Sequence, residues 1–333
     1  MGLRETLAFY RAARAAPLLC GCHARVPIKP IALSSRLPYS STLNENPVKG
    51  NFMEKVFLNG QIVDADKASV AVTDSSFLYG IGLFETMRAV NGTVFRLADH
   101  LIRLNRSAET LAIANSYLDE QIQQAIDEVL TANKLTEARL RLQVSNGPIG
   151  ADGTAATNLL VTASEFTPYP AEFYEKGIRV TLTDFRQNPK DPFCGHKTTC
   201  FGPRLTALKN AHEKLATESL WFTTENFLAE GSISNVFLVK DGALLTPPVQ
   251  TPVLPGIARK TVIEIAEAET IPCRQQPLQV ADLLAADEVF LTNVIMEVLP
   301  VTAIEAHTVN DAKPGKLTKK IAEKYTERRN AGI

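Results

Sequence analysis

The chain has few cysteines, a single tryptophan and no long apolar run, and each shortage narrows what it can be. Its five cysteines (Cys20, Cys22, Cys194, Cys200 and Cys273) are too sparse in 333 residues for a disulfide framework and fit a reducing compartment. No stretch approaches the roughly 18 consecutive apolar residues that a membrane helix requires, so no membrane partner is expected. Neither sign of charge dominates. The 35 Lys and Arg against 36 Asp and Glu leave a formal net charge of −1, with no basic excess to hold a nucleic acid. Cys194, His196 and Cys200 match no usual zinc spacing and lack an evident fourth ligand, so no metal is expected either. What is present is a globular composition, 45% hydrophobic and 21% charged, long enough for two domains or one large one.

Residues 1–52 stand apart. They hold seven Lys or Arg but two acidic residues, Glu5 and Glu45, together with several Ser and Pro. An Arg-rich, Ser-containing, acid-poor leader has the composition of an organellar transit peptide. Alternatively Met53 is the true start, because Met53-Glu-Lys-Val-Phe-Leu-Asn-Gly opens a strand pattern abruptly. On either reading the leader carries no chemistry. The body is expected in the cytoplasm, or in an organellar matrix if the leader is a transit peptide.

Beyond the leader, Lys55–Val63 alternates around Asn59-Gly60, a hairpin signal. Ser69–Thr73 reads as a further short strand. Leu101, Leu104, Ala108 and Leu111 fall at helical spacing, as do Ile122, Ile126 and Val129. From Ala138 the period becomes two, with Leu140, Leu142 and Val144 on one face and Arg139, Arg141 and Gln143 on the other. Residues 53–165 are therefore expected to form a small α+β domain, two helices on a mostly antiparallel sheet. The prolines of Phe166-Thr-Pro-Tyr-Pro-Ala mark a linker over 166–177. Residues 178–333 then form a larger domain, with strands expected at Gly177–Leu182, Leu220–Thr223, Val236–Val239 and Glu288–Leu291. Helices are expected after Pro203 and over Ala258–Glu269 and Lys316–Arg329.

The residues with chemical promise are scattered across both parts. Lys197 lies 33 residues before Glu230. A deprotonated lysine can form a Schiff base with an aldehyde cofactor, and burial lowers its pKa in that direction. A carboxylate against a pyridine nitrogen keeps that nitrogen protonated and makes the ring an electron sink. Arg103 offers a planar fork suited to a phosphate. In Leu254-Pro-Gly-Ile-Ala-Arg259 a glycine precedes a helix, so the amides of Ile257 and Ala258 and the dipole end suit a phosphate as well. Thr292, at a strand end, could add a hydroxyl. Each has a plain alternative when taken alone: a solvated arginine, an ordinary turn, an exposed loop glutamate. His196 reads as a proton-transfer helper or an orienting neighbour of Lys197, and Trp221 and Phe222 as core.

In order along the chain, these segments resemble the class IV (fold-type IV) pyridoxal-phosphate enzymes. That family includes branched-chain aminotransferases, D-amino-acid aminotransferases and aminodeoxychorismate lyases. The resemblance runs from about Met53 to Glu305. It is carried by Asp74 with Phe77-Leu-Tyr-Gly-Ile-Gly-Leu-Phe-Glu-Thr-Met-Arg88, His100-Leu-Ile-Arg-Leu, Lys197, Glu230-Gly-Ser-Ile-Ser-Asn, Thr246-Pro-Pro and Leu254-Pro-Gly-Ile-Ala-Arg. The resemblance implies a two-domain fold, the second domain built on a barrel-like sheet, and pyridoxal 5′-phosphate as cofactor. It implies Lys197 as the Schiff-base lysine and carrier of the substrate Cα proton, and Glu230 as partner of the pyridine nitrogen. Arg103, Ile257, Ala258 and Thr292 are implied on the cofactor phosphate, with Tyr79 and Phe84 lining the substrate side. The expected activity is amino transfer between an amino acid, branched-chain or D-type, and a 2-oxo acid, in a homodimer. Lyase chemistry on aminodeoxychorismate, giving 4-aminobenzoate and pyruvate, is the alternative. Two departures stand out. Phe201 and Gly202 occupy the places where many members carry a tyrosine, and the turn beginning Asn146-Gly-Pro-Ile-Gly lacks an arginine that others use for the substrate carboxylate. Arg141 and Arg204 are the candidates to replace it.

Overall fold

The computed structural model describes residues 54–148 and 157–332. The expectations for the leader and for the 149–156 part of the turn lie outside the described residues.

Two sheets organise the chain. Lys55–Leu58 (β1) and Gln61–Asp64 (β2) form the expected hairpin, with Asn59 and Gly60 at φ 50° and 91°, as a two-residue turn of the primed type demands. Ser69–Thr73 is not a strand. No neighbouring edge pairs with it, and the segment ends in an isolated bridge between Asp74 and Pro148. Asp74 instead caps the short helix Ser75–Tyr79 (α1), accepting hydrogen bonds from the Ser76 and Phe77 N–H groups. Gly82–Val90 (β3), Thr93–Val94 (β4), Ala138–Ser145 (β5) and Asn158–Glu165 (β6) complete an antiparallel sheet ordered β2-β1-β6-β5-β3-β4. Helices Leu97–Thr110 (α2) and Asp119–Ala132 (α3) cover one face, placing Leu101, Leu104, Ile122, Ile126 and Val129 on Leu83, Met87, Leu140, Leu142 and Val161. The strand period sends Phe84, Thr86, Arg139, Arg141 and Gln143 to the opposite face.

The second sheet is mixed. Ala171–Lys176 (α4) is a short helix inside the stretch expected as a linker, and leads to Ile178–Gln187 (β7). There follow Gly202–Glu213 (α5), Glu218–Thr223 (β8), Leu228–Gly231 (β9), Asn235–Lys240 (β10) and Ala243–Thr246 (β11). Next come Ile257–Ala268 (α6), Cys273–Gln275 (β12), Val280–Leu284 (α7), Glu288–Asn293 (β13), Glu297–Ile304 (β14), His307–Thr308 (β15) and Lys316–Ala331 (α8). The sheet runs β12-β11-β10-β13-β14-β7-β8-β9, with β15 beside β14. It curls so that β9 and β10 meet across a tight turn, the Gly231 N–H donating to the Ser234 carbonyl at 2.7 Å. The barrel-like second sheet implied by the sequence is therefore present.

Both faces of the central strands β10 and β13 are covered, which is why they carry consecutive apolar residues rather than alternate ones. On β10 and β13, Val236, Leu238, Val289 and Leu291 point into the barrel with Leu220 and Leu299. Phe237, Val239 and Phe290 point outward against Val262 and Ile265 of α6 and Ile321 and Tyr325 of α8. Asn235 and Thr292 pair across β10 and β13 and share this outward, α6-facing side. No described helix is long and apolar enough to cross a membrane.

Candidate active site

Lys197 reaches the small sheet through its backbone. Its carbonyl accepts from Phe84 N–H (2.9 Å), Thr199 N–H donates to the Gly82 carbonyl (2.9 Å), and the Thr199 hydroxyl donates to the Gly80 carbonyl (2.7 Å). Residues 197–199 thus extend the sheet along the free edge of β3. Gly80 permits the approach. It ends α1 at φ 70°, and a Cβ there would come 3.3 Å from Cys200 Cα. The half-buried Lys197 side chain lies with Nζ 4.5 Å from the centre of the Phe84 ring and 5.8 Å from that of Phe201. Burial pushes its amine down to about 7; the Arg103, Arg204 and Arg141 charges add to the fall and Glu85 opposes it. A lysine in this state is both proton donor and nucleophile near neutral pH.

Glu230, on β9, is 2% exposed. One carboxylate oxygen accepts from Arg204 Nη2 (2.6 Å) and Gln187 Nε2 (3.1 Å), the other from Leu254 N–H (2.9 Å) and Asn235 Nδ2 (3.4 Å). Four donors fix its position. Arg204 also donates to the Gly231 and Ser232 carbonyls at 3.1 and 3.4 Å, so the structure engages it with the β9 end of the site.

The other end gathers at α2 and α6. Phe84 and Glu85 are neighbours on β3 and point to opposite faces. Glu85, 1% exposed, receives both Nε (2.9 Å) and Nη2 (2.5 Å) of Arg103 and pairs with His100 Nδ1 at 2.8 Å. Burial would raise the Glu85 carboxyl, yet the Arg103 charge and the His100 hydrogen bond outweigh it and hold it at about 2. Burial pushes the His100 ring below its ordinary value, against the raising effect of the Glu85 hydrogen bond and charge. Arg103 Nη1 donates to the Pro255 carbonyl (3.1 Å), bringing the guanidinium to the turn before α6. No side chain caps α6 at Gly256, so its first-turn N–H groups, those of Ile257 and Ala258 among them, are open to an anion. A Cβ on Gly256 would fall 2.0 Å from Asn235 Oδ1, so only glycine lets this turn sit against β10. Thr292 Oγ1, on the same side of the sheet as Asn235, is buried with no hydrogen-bond partner.

The remaining sequence candidates line the open side. Arg141 is exposed, its guanidinium 3.9 Å from the centre of the Phe84 ring, with a 3.1 Å hydrogen bond to Gln143 Oε1. Tyr79 is 64% exposed. Phe201, at one of the places where many family members carry a tyrosine, meets Phe84 edge-on at 5.3 Å and presents no hydroxyl. His196 pairs through Nδ1 with Ser107 Oγ (2.9 Å) rather than with Lys197. Burial pushes the Cys194 thiol up to about 11, and among the described residues no group of three His, Cys, Asp or Glu gathers as a metal site. Sequence reasoning assigns no role to Glu85, Gln187, Asn235 or Glu218. Glu85 and Asn235 stand inside quoted motifs, whereas Gln187 and Glu218 leave no local signal.

Residues 82–304 match the family described as amino-transferase class IV. The chain belongs to the class IV aminotransferase family. It is 34% identical over 284 residues to a putative branched-chain-amino-acid aminotransferase of Methanocaldococcus jannaschii, covering 82% of this chain and 96% of that protein. It is 30% identical over 287 residues to a D-alanine aminotransferase of Staphylococcus haemolyticus, covering 84% of this chain and all of that protein. Among solved structures, a branched-chain aminotransferase from the thermophilic archaeon Thermoproteus uzoniensis, with norvaline, superposes with a TM-score of 0.78 at 30% identity. That match covers 85% of this chain and 96% of the other.

Class IV aminotransferases use pyridoxal phosphate, and the residues present fit that group. The orphaned Thr292 hydroxyl, the uncapped α6 N-terminus and Arg103 would offer donors to a phosphate. Glu230 supplies a fixed carboxylate, and Lys197 an amine near neutrality.

Proposed function

We propose that this chain is a pyridoxal-phosphate-dependent aminotransferase that moves an amino group between an amino acid, branched-chain or D-type, and a 2-oxo acid. The observation that carries this reading is the Lys197 amine, held near neutrality between Phe84 and Phe201. The bound cofactor would supply an electron sink, its protonated pyridine ring drawing charge away from the substrate Cα. The protein's own residues would do the rest. Arg103, Thr292 and the amides of Ile257 and Ala258 hold the phosphate. Glu230, fixed by its four donors, would face the pyridine nitrogen and hold its proton. Lys197, its amine near neutrality, would take the substrate Cα proton at Nζ and hand it back. A positioned base of this kind contributes roughly 10²–10⁴ in rate. Arg141 anchors the substrate carboxylate, because Arg204 is held by Glu230 whereas Arg141 lies open beside Phe84.

The functional unit on this reading is a pair of identical chains. Val72, Phe77 and Tyr79 are 73%, 73% and 64% exposed around α1, next to the site, and a second copy would cover them.

The decisive experiment is the visible spectrum of purified protein with pyridoxal phosphate, alongside Lys197→Ala. The wild type should turn yellow, lose the colour on borohydride reduction, and transfer amino groups to 2-oxoglutarate; the variant should do none of these. A colourless wild type would overturn the reading. Release of 4-aminobenzoate and pyruvate from aminodeoxychorismate without amino transfer would replace it with the lyase. Sedimentation as a monomer would remove the pairing.

A further inference from the structure

Behind Glu230 sits a second carboxylate that the proposed reaction does not use. Glu218 on β8 is 1% exposed, and none of the described ion pairs involves it. Its Oε1 accepts from the Ser219 and Ser232 N–H groups at 2.9 and 3.1 Å, and its Oε2 from Ile233 N–H and the Ser234 hydroxyl at 3.1 and 3.0 Å. Three of these four donors belong to the turn between β9 and β10. Both oxygens are fully engaged by these partners, and burial pushes the carboxyl above its ordinary value against the lowering effect of the hydrogen bonds.

The turn has two sides. Its N–H groups face Glu218, while its Gly231 and Ser232 carbonyls face Arg204, the guanidinium that makes the shortest contact with Glu230. Asn235, which also donates to Glu230, begins the strand immediately after the turn. We infer that Glu218 is a positioning residue for Glu230: by folding the 231–234 turn around its carboxylate it aims the carbonyls that hold Arg204, and Arg204 fixes the carboxylate that meets the cofactor ring. None of its hydrogen bonds goes to Glu230. This inference rests on the pyridoxal-phosphate reading, and its test separates the two.

Glu218→Gln keeps the shape but turns an acceptor into an NH₂ group facing Ile233 N–H and the Ser234 hydroxyl. The hydroxyl can rotate to accept; the Ile233 N–H cannot. Three readouts are compared in wild type, Glu218→Gln, and Val129→Ala as a destabilised control in the distant α3 core. They are cofactor affinity, the pH midpoint of the cofactor's visible band, and hydrogen exchange at the Leu254 amide, which is bonded to Glu230. Glu218→Gln should weaken cofactor binding by about tenfold or more, shift the band's midpoint, and speed Leu254 exchange. Val129→Ala should lower the melting temperature and move none of the three. Unchanged affinity, midpoint and exchange in folded Glu218→Gln overturns the inference. If that variant does not fold, Ser234→Ala removes one donor and should move the readouts in the same direction by less; no movement is equally fatal. A wild type that takes up no cofactor refutes the functional reading, and Leu254 exchange still decides whether Glu218 positions Glu230.

Discussion

The two sides of the site are built differently. On the proposed cofactor side the carboxylates are tied by several partners: four donors on Glu230, and both Arg103 and His100 on Glu85. On the proposed substrate side Arg141 makes one side-chain hydrogen bond, stacks on Phe84, and is exposed. The difference follows from what each side must do. A cofactor that stays bound rewards preorganised partners, because their desolvation is compensated in the fold. A substrate that must enter and leave needs groups still free to bind it. Burial and stability therefore belong to the first side, and on the proposed reading specificity belongs to the second.

The largest test of that contrast is Glu85→Gln. Removing the carboxylate leaves the Arg103 guanidinium buried without its counter-charge, a loss of about 3–5 kcal/mol for a broken buried pair. The pH dependence has a definite sign. The Glu85 carboxyl titrates at about 2 in the fold against an ordinary 4.5, so its contribution is present above 4.5 and is lost as pH falls toward 2. Chemical denaturation at several pH values should show wild type well ahead at pH 7 and the gap closing below 4.5. An equal gap at pH 7 and pH 3 would contradict the assignment.

Arg141→Gln should behave in the opposite way. Stability should change by less than about 1 kcal/mol, since the side chain is exposed. KM for the amino acid should rise by up to about 100-fold with kcat altered far less, as expected when a charge-assisted contact to substrate is removed. A large drop in melting temperature, or a fall in kcat with KM unchanged, would mean that this side is as structural as the other.

The same contrast explains what can be read from the sequence. Lys197, Glu230, the Leu254-Pro-Gly-Ile-Ala turn and Thr292 each lie in a local pattern whose chemistry is carried by nearby residues, and the structure brings them to one place. Glu218 and Gln187 act across strands far apart in sequence, so no local spacing reveals them. Ser69–Thr73 fits a strand pattern because alternating β-formers satisfy it, whereas a strand also needs an edge to pair with. The substrate side is legible as candidate residues alone. Its arginines can be named, but which of them is held by Glu230 depends on the fold of α5 against β9.

The smallest expected effect, at Thr292, changes sign between the empty and loaded protein. Its hydroxyl is buried without a partner, so the apoprotein carries the cost of an unsatisfied polar group. Thr292→Val removes the hydroxyl at nearly constant volume. The apoprotein should therefore become more stable, by up to about 1 kcal/mol in denaturant titration. If the hydroxyl serves a phosphate, cofactor affinity should fall by about tenfold in the same variant, because a hydrogen bond to a charged oxygen is lost. The two changes together give wild type the larger stabilisation on adding pyridoxal phosphate. A variant more stable in both states would make the hydroxyl a packing residue with no part in phosphate binding. One less stable in both would place a partner on Oγ1 in the empty protein. Only the crossed result ties this orphaned group on the cofactor side to the ligand that completes it.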